Sequence, residues 1–216
     1  MNPKKRYEDE LLNTKQLRTL AILEAAEYMF THKGIEKTTM QDIATKASLG
    51  VATVFRFFPR KDKLVVAVAT RNLETVLHTY QSIAALPLSC LQKLEMLFES
   101  SISTLNKHDS SNVKMLENFD SYAANYKEPL EDIDTFNSVY REISKVFSTI
   151  TEQGVLDGSI RSDISIEKTL TTIIHTFFTF TRKLSLQQNI LMVELDLAPQ
   201  EELSVLKSLF INYLKK

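Results

Sequence analysis

Apolar residues recur at three- and four-residue intervals through most of the chain, which is the spacing of an amphipathic α-helix. Four glycines and five prolines in 216 residues are few, which favours long helices over a turn-rich β fold. We therefore predict an all-α protein of about nine helices. The predicted helices cover residues 14–32, 40–47, 51–57, 60–85, 89–106, 112–124, 129–154 and 166–183, and a last helix follows Pro199.

Glycine and proline set several of the predicted helix ends. Gly34 ends the first helix at a left-handed cap position, and Pro129 stands in the first turn of the seventh helix. Gly154, followed by Leu156, is typical of a C-terminal cap with its hydrophobic contact. Residues 1–12 are polar and are predicted to be a mobile tail. Residues 184–198 have the least distinct pattern.

Residues 38–58 predict two short helices joined by a tight turn. Thr39 is a good N-cap, and Asp42 three residues later is its capping-box partner. Residues 48–50 break the first helix, and Gly50 is expected to turn the chain at low steric cost and to cap the second helix. This arrangement is the signature of a helix-turn-helix, which places its second helix in the DNA major groove. The alternative is a small helical hairpin that only packs.

The residues of the second short helix favour DNA binding over packing alone, because a solvent-facing helix normally avoids aromatic and β-branched side chains. Charge points the same way. Residues 1–65 hold 12 Lys and Arg against 8 Asp and Glu, a net charge of +4, whereas the remainder holds 14 against 19, a net charge of −5. The chain is therefore basic at the end that is predicted to approach phosphates and acidic elsewhere.

A larger set of spaced positions in the first third of the chain resembles one known family, the tetracycline-repressor (TetR) family of transcriptional regulators. The residues that carry the resemblance are Arg18-x-x-x-Ile22-Leu23-x-x-Ala26-x-x-x-Phe30-x-x-x-Gly34-x-x-x-Thr38-Thr39-x-x-x-Ile43-Ala44-x-x-Ala47, continued by Gly50-Val51-Ala52-Thr53-Val54-Phe55-Arg56-Phe57-Phe58-x-x-Lys61-x-x-Leu64.

The resemblance implies an N-terminal three-helix DNA-binding domain and a C-terminal helical domain for ligand binding and dimerisation. We set the boundary so that residues 1–62 form the first domain and residues 63–216 the second. The family plan further implies a homodimer that binds a palindromic operator in double-stranded DNA and releases it when a small-molecule effector binds. Repression is expected over activation by family habit alone.

The same resemblance assigns residues to the DNA surface. Arg18, Thr39 and Lys61 are expected near the DNA backbone. Arg56 could grip a guanine edge with two hydrogen bonds, or it could contact phosphate or solvent. Phe55 and Phe57 stand where the family has Tyr, or Tyr or His, so a polar tip is lost, and Phe57 could simply pack. The positions assigned to DNA readout are Gly50, Val51, Ala52, Thr53, Phe55, Arg56 and Phe57.

Two further surfaces are expected in the C-terminal part of the chain. An apolar or amphipathic effector would bind in a pocket lined by largely apolar side chains. Aromatic residues at helical spacing are, however, more often part of the hydrophobic core. The last two helices would form a four-helix dimer interface, the alternative being packing within the monomer. The effector set is Phe98, Ile102, Met115, Phe119, Tyr122, Tyr140 and His175. The dimer set is Ile173, Phe177, Leu203, Leu206, Leu209, Phe210 and Tyr213.

The sequence contains no recognisable motif of an enzyme or of a metal-binding protein. The four histidines are far apart, and no zinc-binding motif, phosphate-binding loop or nucleophile elbow is present. We therefore predict no metal, no cofactor and no enzymatic activity, and a helical interaction scaffold is the second rival. The lone Cys90 suits a reducing cytoplasm. No apolar run reaches the length of a membrane span, and the N-terminus is not a secretory signal.

Overall fold

The computed structural model describes residues 3–103, 111–187 and 198–216. Over these residues it contains nine α-helices, which confirms the all-α prediction. The helices are α1 (Pro3–Lys33), α2 (Met40–Lys46), α3 (Val51–Phe57), α4 (Lys61–Ala84), α5 (Cys90–Ser103), α6 (Ser111–Ala124), α7 (Ile133–Asp157), α8 (Ile166–Gln187) and α9 (Pro199–Leu214). The predicted end of the fifth helix at residue 106 lies outside the described residues, as do residues 188–197.

The first helix is much longer than predicted, because α1 begins at Pro3 rather than near residue 14. The prediction of a mobile tail is therefore wrong from Pro3 onward. Proline is well suited to the first position of a helix, and Arg6 pairs with Glu10 one turn later at 3.1 Å. A polar sequence is thus compatible with a helix that has solvent on most sides.

The predicted limits of the seventh helix are also wrong. The helix begins at Ile133, directly after Asp132, whose positive φ of 65° interrupts the backbone. It continues past Gly154 and stops before Gly158, whose φ is 79°. Gly154 is needed for close packing instead of capping, because a Cβ atom there would lie 2.5 Å from Cys90 Sγ.

The described residues form two compact units. Unit 1 comprises residues 3–71 and 115–136, and unit 2 comprises residues 72–103, 111–114, 137–187 and 198–216. The helix α4 contributes residues to both. The predicted domain boundary between residues 62 and 63 stays a prediction.

Unit 1 is built on a continuous apolar core that all its helices share. Ile22 of α1, Ile43 of α2, Val54 of α3 and Leu64 of α4 are completely buried in it. Met115 of α6 is buried in the same core. Burying a side chain of this size contributes about 1.5 to 3 kcal/mol to folding, so helices as short as α2 and α3 are held by tertiary packing.

Unit 2 is organised around aromatic side chains. Tyr80, Phe98, Phe147 and Phe177 are buried, and the rings of Phe98 and Phe177 are 4.6 Å apart. The hydroxyl of Tyr80 forms a 2.6 Å hydrogen bond with Ser101 Oγ, which satisfies two buried polar groups. Helices α5, α8 and α9 pack against one another in this unit.

The start of α2 is fixed by the capping box that the sequence predicts. Thr39 accepts a hydrogen bond from the backbone N–H of Asp42 at 3.1 Å, and the Asp42 carboxylate accepts one from the Thr39 backbone N–H at 2.8 Å. Lys33 Nζ lies 2.6 Å from the same carboxylate. The hydrogen bonds from Lys33 and Thr39 lower the pKa of Asp42 from 3.8 to about 2.

We predict that protonation of Asp42 destabilises unit 1 at low pH. Because the pKa is lower in the folded chain than the usual 3.8, this stabilisation is fully present above about pH 4 and is lost as the pH falls through about 2. In the variant Lys33→Met, which removes the largest of the interactions, the pKa of Asp42 should rise toward its ordinary value. An NMR titration of the carboxyl carbon measures both values. An Asp42 pKa near 3.8 in the unmodified chain would contradict this account.

Candidate DNA-binding site

The turn between α2 and α3 has a backbone conformation that differs in one respect from the prediction. Ser48, not Gly50, adopts the left-handed conformation, with φ of 56°. Gly50 has φ of −69° and ψ of 141°, which is the extended conformation of an N-cap residue. Gly50 therefore caps α3 as predicted, but without a side-chain hydrogen bond, and the reversal of the chain falls on Ser48.

The helix α3 presents one buried and one open face. Val54 is completely buried and fixes the helix against α2. Ala52, Phe55 and Arg56 are exposed on the opposite side. The remaining readout residues, Val51, Thr53 and Phe57, are half-buried. A helix of this kind, packed on one side and open on the other, can enter the major groove of a duplex.

Two of the predicted backbone contacts already have partners in unit 1. The Thr39 hydroxyl donates to Asp42 Oδ2 at 2.8 Å as part of the capping box. Lys61 Nζ donates to the backbone carbonyl of Glu36 at 3.2 Å, and burial lowers the pKa of Lys61 against the opposing effect of nearby carboxylates. Arg18, by contrast, is exposed on α1.

A hydrogen-bonded cluster at the start of α4 was not predicted from the sequence. Tyr122 of α6 donates to Asp62 Oδ1 at 2.7 Å, and Tyr126 donates to the same oxygen at 3.2 Å. The two tyrosine hydroxyls are 2.6 Å apart. Arg60 donates to the other oxygen of Asp62 at 2.8 Å. Asp62, which directly follows the DNA-contact candidate Lys61, thus links the start of α4 to α6.

The pKa values of this cluster show which protonation state it favours. Burial raises the pKa of Asp62, but the hydrogen bonds from Tyr122, Tyr126 and Arg60 outweigh this effect, so the pKa is lowered overall. Burial and the hydrogen bonds with Tyr126 and Asp62 raise the pKa of Tyr122. Both shifts keep Asp62 as an acceptor and Tyr122 as a donor at neutral pH.

Ion pairs attach the segment after α6 to the same helix end. Glu131 lies 3.4 Å from Arg60 and 2.9 Å from Lys63, and Asp132 lies 3.3 Å from Lys63. In addition, the Asn118 side chain of α6 donates to the carbonyl of Phe30 near the end of α1 at 3.0 Å. No local pattern in the sequence indicates these contacts, because each joins residues at least 60 positions apart.

The predicted effector set is divided between the two units. Met115, Phe119 and Tyr122 are buried in unit 1, where Met115 and Phe119 are part of the apolar core. Phe98 and Ile102 are buried in unit 2. The remaining two members of the set are less buried: Tyr140 is half-buried and His175 is exposed, with their rings 6.1 Å apart.

The predicted dimer set is partly engaged inside unit 2. Its buried members are Ile173, Phe177 and Leu203, whereas Leu206 and Phe210 are half-buried. Leu209 and Tyr213 are exposed, at 59% and 50%. Val205, which the sequence reasoning missed, is exposed at 58% and precedes Leu209 by one turn. The three exposed residues Val205, Leu209 and Tyr213 recur every four positions, which places them on one face of α9.

Within the described ranges, no group of three or more potential metal-ligating side chains is present. In the same ranges, none of the helices has the length and apolar character that crossing a membrane requires.

Comparison with known proteins gives consistent matches. Residues 22–68 match the model for bacterial regulatory proteins of the tetR family. The chain is 28% identical over 146 residues to the HTH-type transcriptional repressor KstR2 of Mycolicibacterium smegmatis, with 68% of this chain and 69% of the relative covered.

Solved structures share the fold. The ketosteroid transcriptional regulator KstR2 of Mycobacterium tuberculosis superposes with a TM-score of 0.62 at 19% identity, over 90% of this chain and 93% of the other. The regulator FadR of Bacillus subtilis in complex with stearoyl-CoA gives 0.71 at 14% identity, over 91% and 99%. By these matches residues 22–68 are a DNA-binding segment of the tetR family of bacterial regulatory proteins, and the chain is similar to TetR-type transcriptional repressors in sequence and fold.

Proposed function

We propose that this protein is a cytoplasmic repressor that binds a palindromic operator as a homodimer and releases it when an apolar or amphipathic small molecule binds. The observation that carries the proposal is the open face of α3, where Ala52, Phe55 and Arg56 are exposed on a helix anchored by the buried Val54. Two such helices in a dimer would read half-sites about 34 to 36 Å apart.

The distribution of charge supports the same orientation toward DNA. The +4 net charge of residues 1–65 attracts phosphates, and the −5 net charge of the remainder does not. Repression is favoured over activation because the relative from M. smegmatis is named a transcriptional repressor. We further propose that residues 1–62 supply the DNA contacts and residues 63–216 the dimer and effector contacts.

A structural relative and the buried side chains of unit 2 support a proposal for the chemical class of the effector. FadR, which shares the fold, was solved with stearoyl-CoA. In the described part of unit 2, most of the buried side chains are aromatic or aliphatic. We therefore propose an acyl thioester or another amphipathic molecule as the effector. Release requires that the effector bind the DNA-free conformation more tightly than the DNA-bound one.

Of the predictions that follow from the proposed function, the first concerns Arg56. A duplex selected from a random library with the unmodified chain serves as the operator. Arg56→Ala should weaken binding of this duplex by about 1 to 3 kcal/mol if the side chain holds a guanine edge, as measured in a gel-shift titration. Arg56→Lys separates the two roles of this residue, because lysine keeps the charge and loses the planar fork. Equal binding by both variants and the unmodified chain contradicts any DNA role for this position.

The second prediction concerns Lys61. Lys61→Ala should reduce the slope of log affinity against log salt by about one unit, because one phosphate contact is lost. Lys63→Ala is the matched control, since Lys63 stands two residues later on α4 and is paired with Glu131 and Asp132. If the slope is unchanged for Lys61→Ala, Lys61 does not contact DNA, and its role is limited to the hydrogen bond with the Glu36 carbonyl.

The third prediction concerns the dimer. Leu209→Glu should shift the protein toward the monomer in sedimentation velocity, because a charge replaces an apolar side chain on the exposed face of α9. Operator affinity should fall with it, since a monomer reads only one half-site. Leu156→Glu is the control, because Leu156 of α7 is 88% exposed and lies outside the predicted interface. A Leu209→Glu variant that stays dimeric would move the interface elsewhere.

The fourth prediction concerns the effector. Stearoyl-CoA or lauroyl-CoA should raise the midpoint of thermal unfolding and release the selected duplex at the same concentrations, as linkage requires. Free coenzyme A and the corresponding fatty acid are the controls that separate the two halves of the molecule. Stabilisation without release would indicate binding that is not coupled to DNA. Absence of both effects would exclude acyl thioesters as the effector.

A further inference from the structure

Tyr122 of α6 interacts with two consecutive residues in the first turn of α4. It is buried, and its hydroxyl donates to Asp62 Oδ1 at 2.7 Å. Lys61 Nζ lies over its ring, 5.9 Å from the centroid, which is within the range of a cation–π interaction. One aromatic side chain therefore holds Asp62 through its polar tip and Lys61 through its ring.

Lys61 is also held by the segment between α1 and α2. Its Nζ donates to the backbone carbonyl of Glu36 at 3.2 Å, and the residue is half-buried. A lysine side chain in solvent samples many rotamers and loses that freedom when it binds a ligand. Contacts from two different elements reduce this freedom before any ligand is present.

The restrained ammonium group of Lys61 is still able to bind an anion. An ammonium carries three N–H donors, of which the Glu36 carbonyl accepts one. Burial lowers the pKa of Lys61, whereas the charges of Glu36 and Asp62 raise it, so these two carboxylates favour the protonated form. Donors on a group of restricted orientation therefore remain for a phosphate oxygen.

The orientation of Asp62 is fixed by more than one donor. Tyr126 donates to the same oxygen as Tyr122, at 3.2 Å, and Arg60 donates to the other oxygen at 2.8 Å. The Asp62 side chain is 13% exposed, so water competes little for these bonds. Because Asp62 directly follows Lys61, bonds that fix Asp62 also fix the backbone from which the Lys61 side chain extends.

We propose that Tyr122, supported by Tyr126, is a positioning residue for DNA binding, which orients the Lys61 ammonium for a phosphate before a duplex is bound. The inference rests on the proposed function, in which Lys61 contacts the DNA backbone. It gives Tyr122 a role other than the effector contact expected from the sequence, because its hydroxyl is already bonded to Asp62 within unit 1. Neither tyrosine needs to touch DNA itself.

The main test removes the two hydroxyl groups and leaves the charge of the protein unchanged. Tyr122→Phe combined with Tyr126→Phe should weaken binding of the selected operator duplex by about three- to tenfold, the range expected when one long side chain must be ordered on binding. In a Lys61→Ala background, the same pair should change the affinity by less than about twofold, because no ammonium group is left to position. Fluorescence anisotropy titrations with a labelled duplex measure all four affinities.

A second measurement needs no DNA. Carbon-13 relaxation of the terminal methylene of Lys61 reports the order of this side chain in the duplex-free protein. The order should be lower in the double tyrosine variant than in the unmodified chain. Tyr126→Phe alone should give a smaller loss of order and of affinity, because Tyr122 still donates to the carboxylate. Since Tyr126 is 42% exposed, this single variant carries the test if the double variant does not fold.

The matched control is Tyr28→Phe, on α1 in the same unit. Tyr28 is 45% exposed, and Lys46 Nζ lies over its ring at 3.6 Å from the centroid. The control thus also removes a tyrosine hydroxyl and keeps a ring beneath a lysine. The affinity for the duplex and the order of Lys61 should both equal those of the unmodified chain. Far-ultraviolet circular dichroism and thermal unfolding check that every variant is folded at the temperature of the titrations.

Three results would overturn the inference. An equal loss of affinity with and without the Lys61 side chain would mean that the tyrosines act on another group. Unchanged order of Lys61 in the double variant would mean that Asp62 does not restrain it. If Lys61→Ala leaves affinity and salt slope unchanged while the unmodified chain binds the duplex, there is no contact for Tyr122 to position.

Failure of the proposed function gives a different result. In that case the unmodified chain binds no duplex at all, and the DNA role of Tyr122 is refuted together with that of Lys61. The relaxation measurement still reports whether the two tyrosines order the Lys61 side chain, so the two failures are distinguished.

Discussion

The burial of Val54 is the interaction on which the rest of the arrangement depends. The helix α3 has seven residues, which is too short to be stable in water by its own hydrogen bonds. It is helical because Val54 is completely buried together with Ile43 and Ala44 of α2 and Ile22 of α1. Val51, Phe57 and Phe58 pack against the same core. The exposed residues proposed to read DNA therefore lie on a helix that has the stability of the unit 1 core.

The Asp62 cluster gives the same unit a second, polar point of attachment. One carboxylate accepts from Tyr122, Tyr126 and Arg60, and Glu131 pairs with Arg60 and Lys63. The Asp62 side chain is 13% exposed and Tyr122 is buried. Removing one of these two leaves the other poorly solvated, which costs more than the net value of their bond. The start of α4 and the segment that follows α6 therefore move together or lose these bonds.

Local signals in the sequence predict most of the fold and much of the candidate site. The capping box at Thr39 and Asp42 and the N-cap at Gly50 depend on neighbouring residues, so the pattern identifies them directly. Gly154 misled the prediction, because its small size serves contact with Cys90, which is 64 positions away. The Asp62 cluster was missed for the same reason, because it is created by tertiary packing and has no local pattern.

The first dozen residues were also predicted incorrectly. A polar segment before the first apolar stripe predicts a tail, yet α1 extends from Pro3. The most direct test of the account is hydrogen–deuterium exchange of the full chain with and without the selected duplex. The account predicts slower exchange in peptides that cover residues 51–58, and unchanged exchange in the middle of α7. Unchanged exchange at residues 51–58 in the presence of a bound duplex would contradict the assignment of α3 as the helix that reads DNA.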